Sequence, residues 1–236
     1  MKLDVLAIAA HCDDTEIVCG GTVIKLADLE HKVGILDLTA GESGSRGDVA
    51  TRAKEADCAA RVMGVEFRQN LGLPDAGLFD TQENALRVAE IIRKTRPEMV
   101  ILPYWKQRHP DHAAACHIGY RGCFLAGLGK MPIGGETFRP RKIVYSTSFH
   151  DIPPSFVIDI SEQFERKCKA VACYVTQFEE KPGEREVYPP ARNIFDYMEI
   201  RNRQYGYMIG VKYAECFIQK ENLAVDDPLK LSGKSI

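Results

Sequence analysis

No stretch of this 236-residue chain stays apolar for long. The run from Leu3 to Ala10 is interrupted by Asp4 and followed at once by His11, Asp13 and Asp14, so it reads as neither a signal peptide nor a membrane span. A basic excess is missing too: 31 Lys and Arg stand against 33 Asp and Glu, a net charge of -2, which leaves nothing to neutralise a phosphate backbone. Neither nucleic acid nor a membrane is an expected partner. The eight cysteines contain no CxxC pair and are too sparse for a small secreted scaffold, so they read as reduced thiols of a cytoplasmic protein. Linker-like tracts, internal repeats and low-complexity segments are absent, and residues 1–236 read as a single domain. What is present is an ordinary globular balance of 45% hydrophobic and 27% charged residues, enough for one sizeable core.

Leu3 to Ala10 has the pattern of a strand covered on both faces, and a helical pattern follows from about Thr15 to Glu30. Lys32 to Leu38 repeats the buried-strand pattern, and Asp48 is placed to cap a helix reaching Met63. A third strand is expected over Val65 to Leu71. A helix over Gln82 to Arg96 carries Ala85, Val88, Ala89 and Ile92 at helical spacing, and Pro97 stops it before a fourth strand, Met99 to Pro103. A helix near Asp111 to Leu128, strands near Lys142 to Ser148 and Phe156 to Ile160, and a helix from Glu162 to Tyr174 continue the chain. This alternation predicts an α/β fold: a Rossmann-like, mainly parallel sheet with helices on both faces and ligands at the carboxyl edge of its strands. The site should therefore lie just after Ala10, Leu38, Leu71 and Pro103. Charged, proline-rich Glu179 to Arg192 is the candidate flap.

Two of those strand ends carry reactive side chains. A-H-C-D-D (Ala10 to Asp14) closes the first strand, and R-H-P-D-H (Arg108 to His112) follows the fourth. A single His or Asp in such a place is more often a helix cap or a loop hydrogen bond. Three of the six histidines and three aspartates converging on one edge instead fit a zinc site with two imidazoles, one carboxylate and an open position. His11 leaves the strand and Asp14 opens the next helix, so both can meet His112 arriving from the other loop; these three are the expected metal ligands. Asp13 would then stand beside the metal as a base taking a proton from water. His109 would face the reacting carbonyl, to stabilise an oxyanion or protonate a leaving amine. Cys12 is a rival ligand by its chemistry, but its place between His11 and Asp13 points it back into the fold.

With these motifs the chain resembles the PIG-L/LmbE-type zinc-dependent N-acetylglucosaminyl deacetylases, whose usual first motif is H-P/A-D-D-x-E. Cys12 replaces the more frequent proline or alanine. Further segments resemble the bacillithiol-biosynthesis branch: L-D-L-T-x-G-E around Asp37, R-G-x-x-x-x-R from Arg46 to Arg52, N-L-x-L-P-D from Asn70 to Asp75, F-V-I-D-I-S from Phe156 to Ser161, Q-F at Gln177 and G-V-x-Y-A-E from Gly210 to Glu215. The resemblance covers nearly the whole chain. It implies removal of acetate from N-acetylglucosaminyl malate, with zinc on His11, Asp14 and His112, Asp13 as general base and His109 as electrophilic histidine. Arg52 and Arg108 match basic residues lining that branch's substrate pocket. Their forked guanidiniums suit a malyl carboxylate better than a neutral sugar, the bland alternative being two solvated surface charges. Another divalent transition metal such as Fe2+ is the alternative to zinc, and another N-acetylated sugar or a chitin-type oligomer the alternative substrate. The resemblance also implies a homo-oligomer such as a hexamer and, in some members, a flap tyrosine reaching the site, for which Tyr188 and Tyr197 are both candidates.

Two other classes use some of the same residues. Asp37, ending the second strand, resembles the ribose-binding acid of a dinucleotide fold. GxGxxG is absent, however, and Gly20 and Gly21 come well after the strand, where they suit close packing of helix against sheet. A non-catalytic metal or carbohydrate binder would keep the ligands without needing Asp13 and His109, so their presence favours an enzyme.

Overall fold

The computed structural model describes residues 1–147, 150–179 and 193–232. The candidate flap beyond Glu179, with Tyr188, lies outside the described residues. Five strands, β1 (Val5–Ala9), β2 (Val33–Thr39), β3 (Phe67–Leu73), β4 (Met99–Pro103) and β5 (Lys142–Ser146), alternate with α1 (Asp14–Asp28), α2 (Val49–Met63), α3 (Gln82–Thr95) and α4 (Pro110–Ala126). β6 (Phe156–Asp159), α5 (Phe164–Ala172), α6 (Val175–Phe178), α7 (Ile194–Ile209) and β7 (Ala214–Ile218) follow. The sheet runs β3-β2-β1-β4-β5-β7-β6. The first five strands are mutually parallel, and β7 is antiparallel to both of its neighbours. The expected α/β architecture is therefore present.

Strand parity divides the core into two halves. Leu6 and Ile8 of β1, Leu36 and Leu38 of β2, and Val100 and Leu102 of β4 pack under α3 and α4 with Val88, Ile92 and Ile118. The alternate residues Val5, Ala7, Val33, Ile35 and Ile101 face α1, α2 and α5 through Val23, Ile24, Ala59, Met63 and Ala170. Burial on both faces is why these strands read as unbroken apolar runs. Asp48 caps α2 as expected, accepting from the Thr51 amide at 2.7 Å.

α7 and β7 have no counterpart in the sequence reading. β7 (AECFI) hides a carboxylate among buried residues, and that breaks its apolar pattern. The carboxylate belongs to Glu215, and its partner is a break in α1. Cys19 is non-helical there (φ -140°), and the amides of Gly21 and Thr22 beyond it donate to Glu215 at 2.9 and 2.7 Å. Lys167 neutralises Glu215 at 2.7 Å and donates to Asn202 at 3.1 Å, all three side chains being buried. The close packing expected of Gly20-Gly21 is real at Gly21, where a Cβ would come within 2.6 Å of the Ile160 side chain.

The cysteines require a correction. Cys58 of α2 and Cys173, just past α5, form a disulfide across 115 residues of sequence, while the other six are free. Reduced thiols throughout was therefore wrong for this pair: two half-buried cysteines from packed helices were brought together by tertiary contact, not by sequence spacing. Among the described residues, no helix is long and apolar enough to cross a membrane.

Candidate active site

The strand order reverses between β1 and β4, since β2 and β3 lie to one side and β5 to the other. Crevices for ligands open at the carboxyl ends of strands at such a switch point. The loop from β1 into α1 brings His11 to Asp14 there, and the loop from β4 into α4 brings Arg108 to His112. His11 Nδ1 lies 3.2 Å from Asp14 Oδ2 and 3.2 Å from His112 Nε2, and His112 Nε2 lies 3.1 Å from Asp14 Oδ1. This triangle fits a transition-metal ion. Bonds of ~2.0–2.2 Å in a tetrahedral shell place donor atoms roughly 3.3–3.6 Å apart, close to the spacing seen. Two imidazoles and one carboxylate are donors that zinc and its neighbours accept. A small pocket of about 30 Å³ lies beside these side chains, with Asp14 and His112 at one end and Ala7, Val18, Cys19 and Ile101 along its walls.

The far side of the His11 ring is fixed as well. Nε2 meets Asp75 Oδ1 at 3.1 Å, with Asp111 Oδ2 at 3.7 Å. Asp75 is itself held: Oδ2 accepts from the Ser43 amide at 2.9 Å and Oδ1 from the Ala76 amide at 2.9 Å. Asp111 accepts from the same Ala76 amide at 2.8 Å. A carboxylate on the distal nitrogen fixes the tautomer that leaves Nδ1 free to bind metal. Burial disfavours a charged His11, but the surrounding carboxylates outweigh it and push its pKa up to about 11. The His11 hydrogen bond holds Asp75 well below the usual carboxylate range. In the sequence Asp75 stands out only as the end of the N-L-x-L-P-D motif; its partnership with His11 depends on how the loop after β3 folds back across the edge.

Asp13 occupies the N-cap position of α1 without capping it, so its carboxylate is not consumed by the helix. Burial first, then the charge of Asp14, raises its pKa, with Arg52 opposing. That is the direction a general base needs. Arg52 Nη2 lies 3.6 Å from Asp13 Oδ1 while Nη1 donates to the Gly41 carbonyl at 3.0 Å. Gly41 has φ +69°, and a Cβ there would collide with Arg52 Nη1 at 1.7 Å. Arg52 is thus buried and fixed by two partners, its Nε without a hydrogen bond.

His109 caps α4: Nδ1 accepts from the Asp111 amide at 3.2 Å, so the neutral ring carries its proton on Nε2. Pro110 then takes the first helical position, where its missing N–H costs nothing. The His109 ring lies 5.0 Å from that of His11 and stacks 4.8 Å from that of His112. Burial, then the nearby imidazoles, lowers its pKa. Arg108 stands exposed in the same loop. Tyr197 lies on α7 and packs against the buried cluster of Ile17, Ile160 and Phe164.

Beneath the β1–α1 loop lies a buried network that the sequence reading did not assemble. Arg68 of β3 donates to Glu16 at 2.6 Å and to Asp37 at 2.8 and 3.1 Å, and also to the Cys12 carbonyl. Tyr174 donates to Glu16 at 2.7 Å and to that same carbonyl. Asp37 is therefore consumed by Arg68 and buried, which removes the ribose-binding reading. Cys12 turns inward, as expected.

Fold and site together define an α/β protein of the doubly wound class, with imidazole and carboxylate donors gathered at its switch point and Asp13 and His109 beside them. Residues 6–121 match the family model PIG-L, described as GlcNAc-PI de-N-acetylase. The chain is 32% identical over 225 residues to the diacetylchitobiose deacetylase of Thermococcus kodakarensis, covering 89% of this chain and 80% of that protein. It is 28% identical to a 1D-myo-inositol 2-acetamido-2-deoxy-alpha-D-glucopyranoside deacetylase of Nocardiopsis dassonvillei, over 58% of this chain and 60% of the relative. Among solved structures, a conserved protein of Thermus thermophilus superposes with TM-score 0.87 at 37% identity, covering 98% of this chain and 100% of the other. The N,N'-diacetylchitobiose deacetylase of Pyrococcus horikoshii gives 0.76 at 26% identity, over 90% and 82%. The chain belongs to the PIG-L deacetylase family and is an N-deacetylase, a hydrolase of a family whose members depend on a metal.

Proposed function

We propose that the protein removes acetate from an N-acetylglucosaminyl conjugate, with His11, Asp14 and His112 as ligands of a zinc ion, Asp13 as general base and His109 as electrophile. The observation that carries this reading is the triangle of donor atoms at 3.1–3.2 Å with Asp13 beside it, paired with Arg52 and not spent on capping α1. A divalent ion held there supplies a nucleophile at neutral pH and polarises the amide carbonyl. Asp13 takes the proton of the attacking water, its position restrained by Arg52. His109 directs its Nε2–H at the carbonyl oxygen as negative charge develops, and the proton taken up by Asp13 passes to the departing amine.

N-acetylglucosaminyl malate is the substrate we favour. Arg52 supports it, because it lines a cleft of about 390 Å³ between α2 and β3 and offers a guanidinium to a carboxylate. Arg108, in the loop before His109, is the second candidate for that carboxylate. A chitin-type oligomer is the competing reading, favoured by the similarity to diacetylchitobiose deacetylases. Zinc rather than Fe2+, a cytoplasmic setting and a homo-oligomeric assembly complete the proposal. The test is amine release from N-acetylglucosaminyl malate, diacetylchitobiose, an N-acetylglucosaminyl inositol and free N-acetylglucosamine. Preference for the malate conjugate supports our reading; preference for the disaccharide transfers it to the chitin-type substrate, and no release from any of them overturns both.

A further inference from the structure

One cavity beside the proposed centre has no part in the chemistry described so far. It measures about 30 Å³ and runs between β1, β4 and the first turns of α1, with Asp14 and His112 at one end. Strand parity sets its walls. Ala7 and Ile101 are register partners across β1 and β4 and face the α1 side of the sheet, and by alternation Ala9 and Pro103 share that side. Val18, one turn beyond Asp14, and Cys19, at the break in α1, close the cavity from the helix. Alanine at 7 and 9 leaves the space that a larger side chain would fill.

We propose that this cavity receives the acyl group of the scissile amide, and that Val18 and Ile101 set the longest acyl chain the enzyme removes. The inference rests on the deacetylase reading above and adds to it a limit on chain length. Of the groups on an N-acetylated sugar, only the acyl methyl is both apolar and carried by the reacting carbon. The sugar is polar and far too large for this space, so it stays on the open side of the sheet edge. A water-sized group takes about 10–15 Å³ of such a cavity, which leaves room for about two. The methyl of an acetyl group therefore enters freely, the ethyl of a propionyl group reaches the limit, and the propyl of a butyryl group exceeds it.

Two readouts test this. The first is amine release from the N-formyl, N-acetyl, N-propionyl and N-butyryl forms of one glucosaminyl conjugate. Wild type should lose about 10- to 200-fold in kcat/KM between acetyl and butyryl, the range for a methylene that an apolar pocket does not accommodate. Val18→Ala should raise the butyryl-to-acetyl ratio by about tenfold, and Val18→Ile should lower the propionyl-to-acetyl ratio by about the same factor. Ile101→Val widens the opposite wall and serves if Val18→Ala does not fold. A ratio within one variant cancels any general loss of fold or metal, so a merely structural role leaves it unmoved. The second readout needs no turnover: Co2+-loaded protein is titrated with formate, acetate, propionate and butyrate and followed by its visible bands. Butyrate should bind at least about tenfold more weakly than acetate, and Val18→Ala should narrow that gap. A flat chain-length profile in wild type, or an unshifted one in the variants, overturns the inference in either readout and leaves the deacetylase reading standing. No amine from any N-acyl form overturns the deacetylase reading instead, and the carboxylate titration then decides by itself whether the cavity selects short chains.

Discussion

Replacing Asp75 by asparagine tests whether the distal face of His11 governs the metal centre. In the native protein one carboxylate oxygen meets His11 Nε2 at 3.1 Å and the other accepts from the Ser43 amide at 2.9 Å. Asparagine has a single carbonyl oxygen for these two donors, so in either orientation its NH2 group faces an N–H. The lost charge also lowers the basicity of the ligand. Partners of this kind typically change metal affinity by roughly 10–100-fold, which corresponds to ~1.4–2.8 kcal/mol. Asp75 contributes no atom to the donor triangle, so the variant should still bind one tight ion, only less tightly. Competition against a chromophoric zinc chelator, with circular dichroism to confirm the fold, measures the effect. A dissociation constant within about twofold of wild type would refute the reasoning, because the change falls below the range expected for such a partner.

Asp13→Asn should retain its metal and lose at least ~10²-fold in kcat, the range for a positioned base; parallel loss of zinc and activity would make Asp13 a ligand. Arg52→Ala should lower kcat/KM for the malate conjugate by about 10- to 150-fold, from the ~1.5–3 kcal/mol of a hydrogen bond to a charged group. Free N-acetylglucosamine should lose much less, and equal losses on both substrates would mean that Arg52 serves Asp13 and not the carboxylate. In metal-free protein His11 holds its proton up to about pH 11 instead of 6.5. Its contribution to stability is therefore complete below pH 6.5 and is lost as the pH rises towards 11. An ion at Nδ1 must displace that proton, so apparent zinc affinity should rise about tenfold per pH unit across this window, and a flat profile would contradict the raised pKa.

The part of this molecule written locally was legible in its sequence. Each of the first four strands pairs with a following helix within a short stretch, and parity plus caps such as Asp48 suffice to find them. The convergence of His11, Asp14 and His112, the proposed ligands, was legible because two short motifs each sit beside a strand end, and parallel topology alone brings those ends together. What escaped depends on distant partners. Arg68 appeared as one charge in a strand until β2, α1 and the end of α5 surrounded it. Asp75 gained its meaning from a loop that crosses to His11. β7 was hidden by Glu215, a charge that makes no sense in a buried strand until the break in α1 supplies two amides. The disulfide joined cysteines whose pairing no spacing rule encodes.

That break in α1 divides the labour of the chain unevenly. Every residue of the proposed centre lies between His11 and His112, yet the helix carrying Asp14 is secured near its middle by a carboxylate from position 215. Among the described residues β6 pairs only with β7, so it joins the sheet through β7. The last strand is thus a keystone. Until it is set, Lys167 lacks its counter-ion, two helical amides lack an acceptor, and a chemically complete site rests on a helix free to bend beneath it.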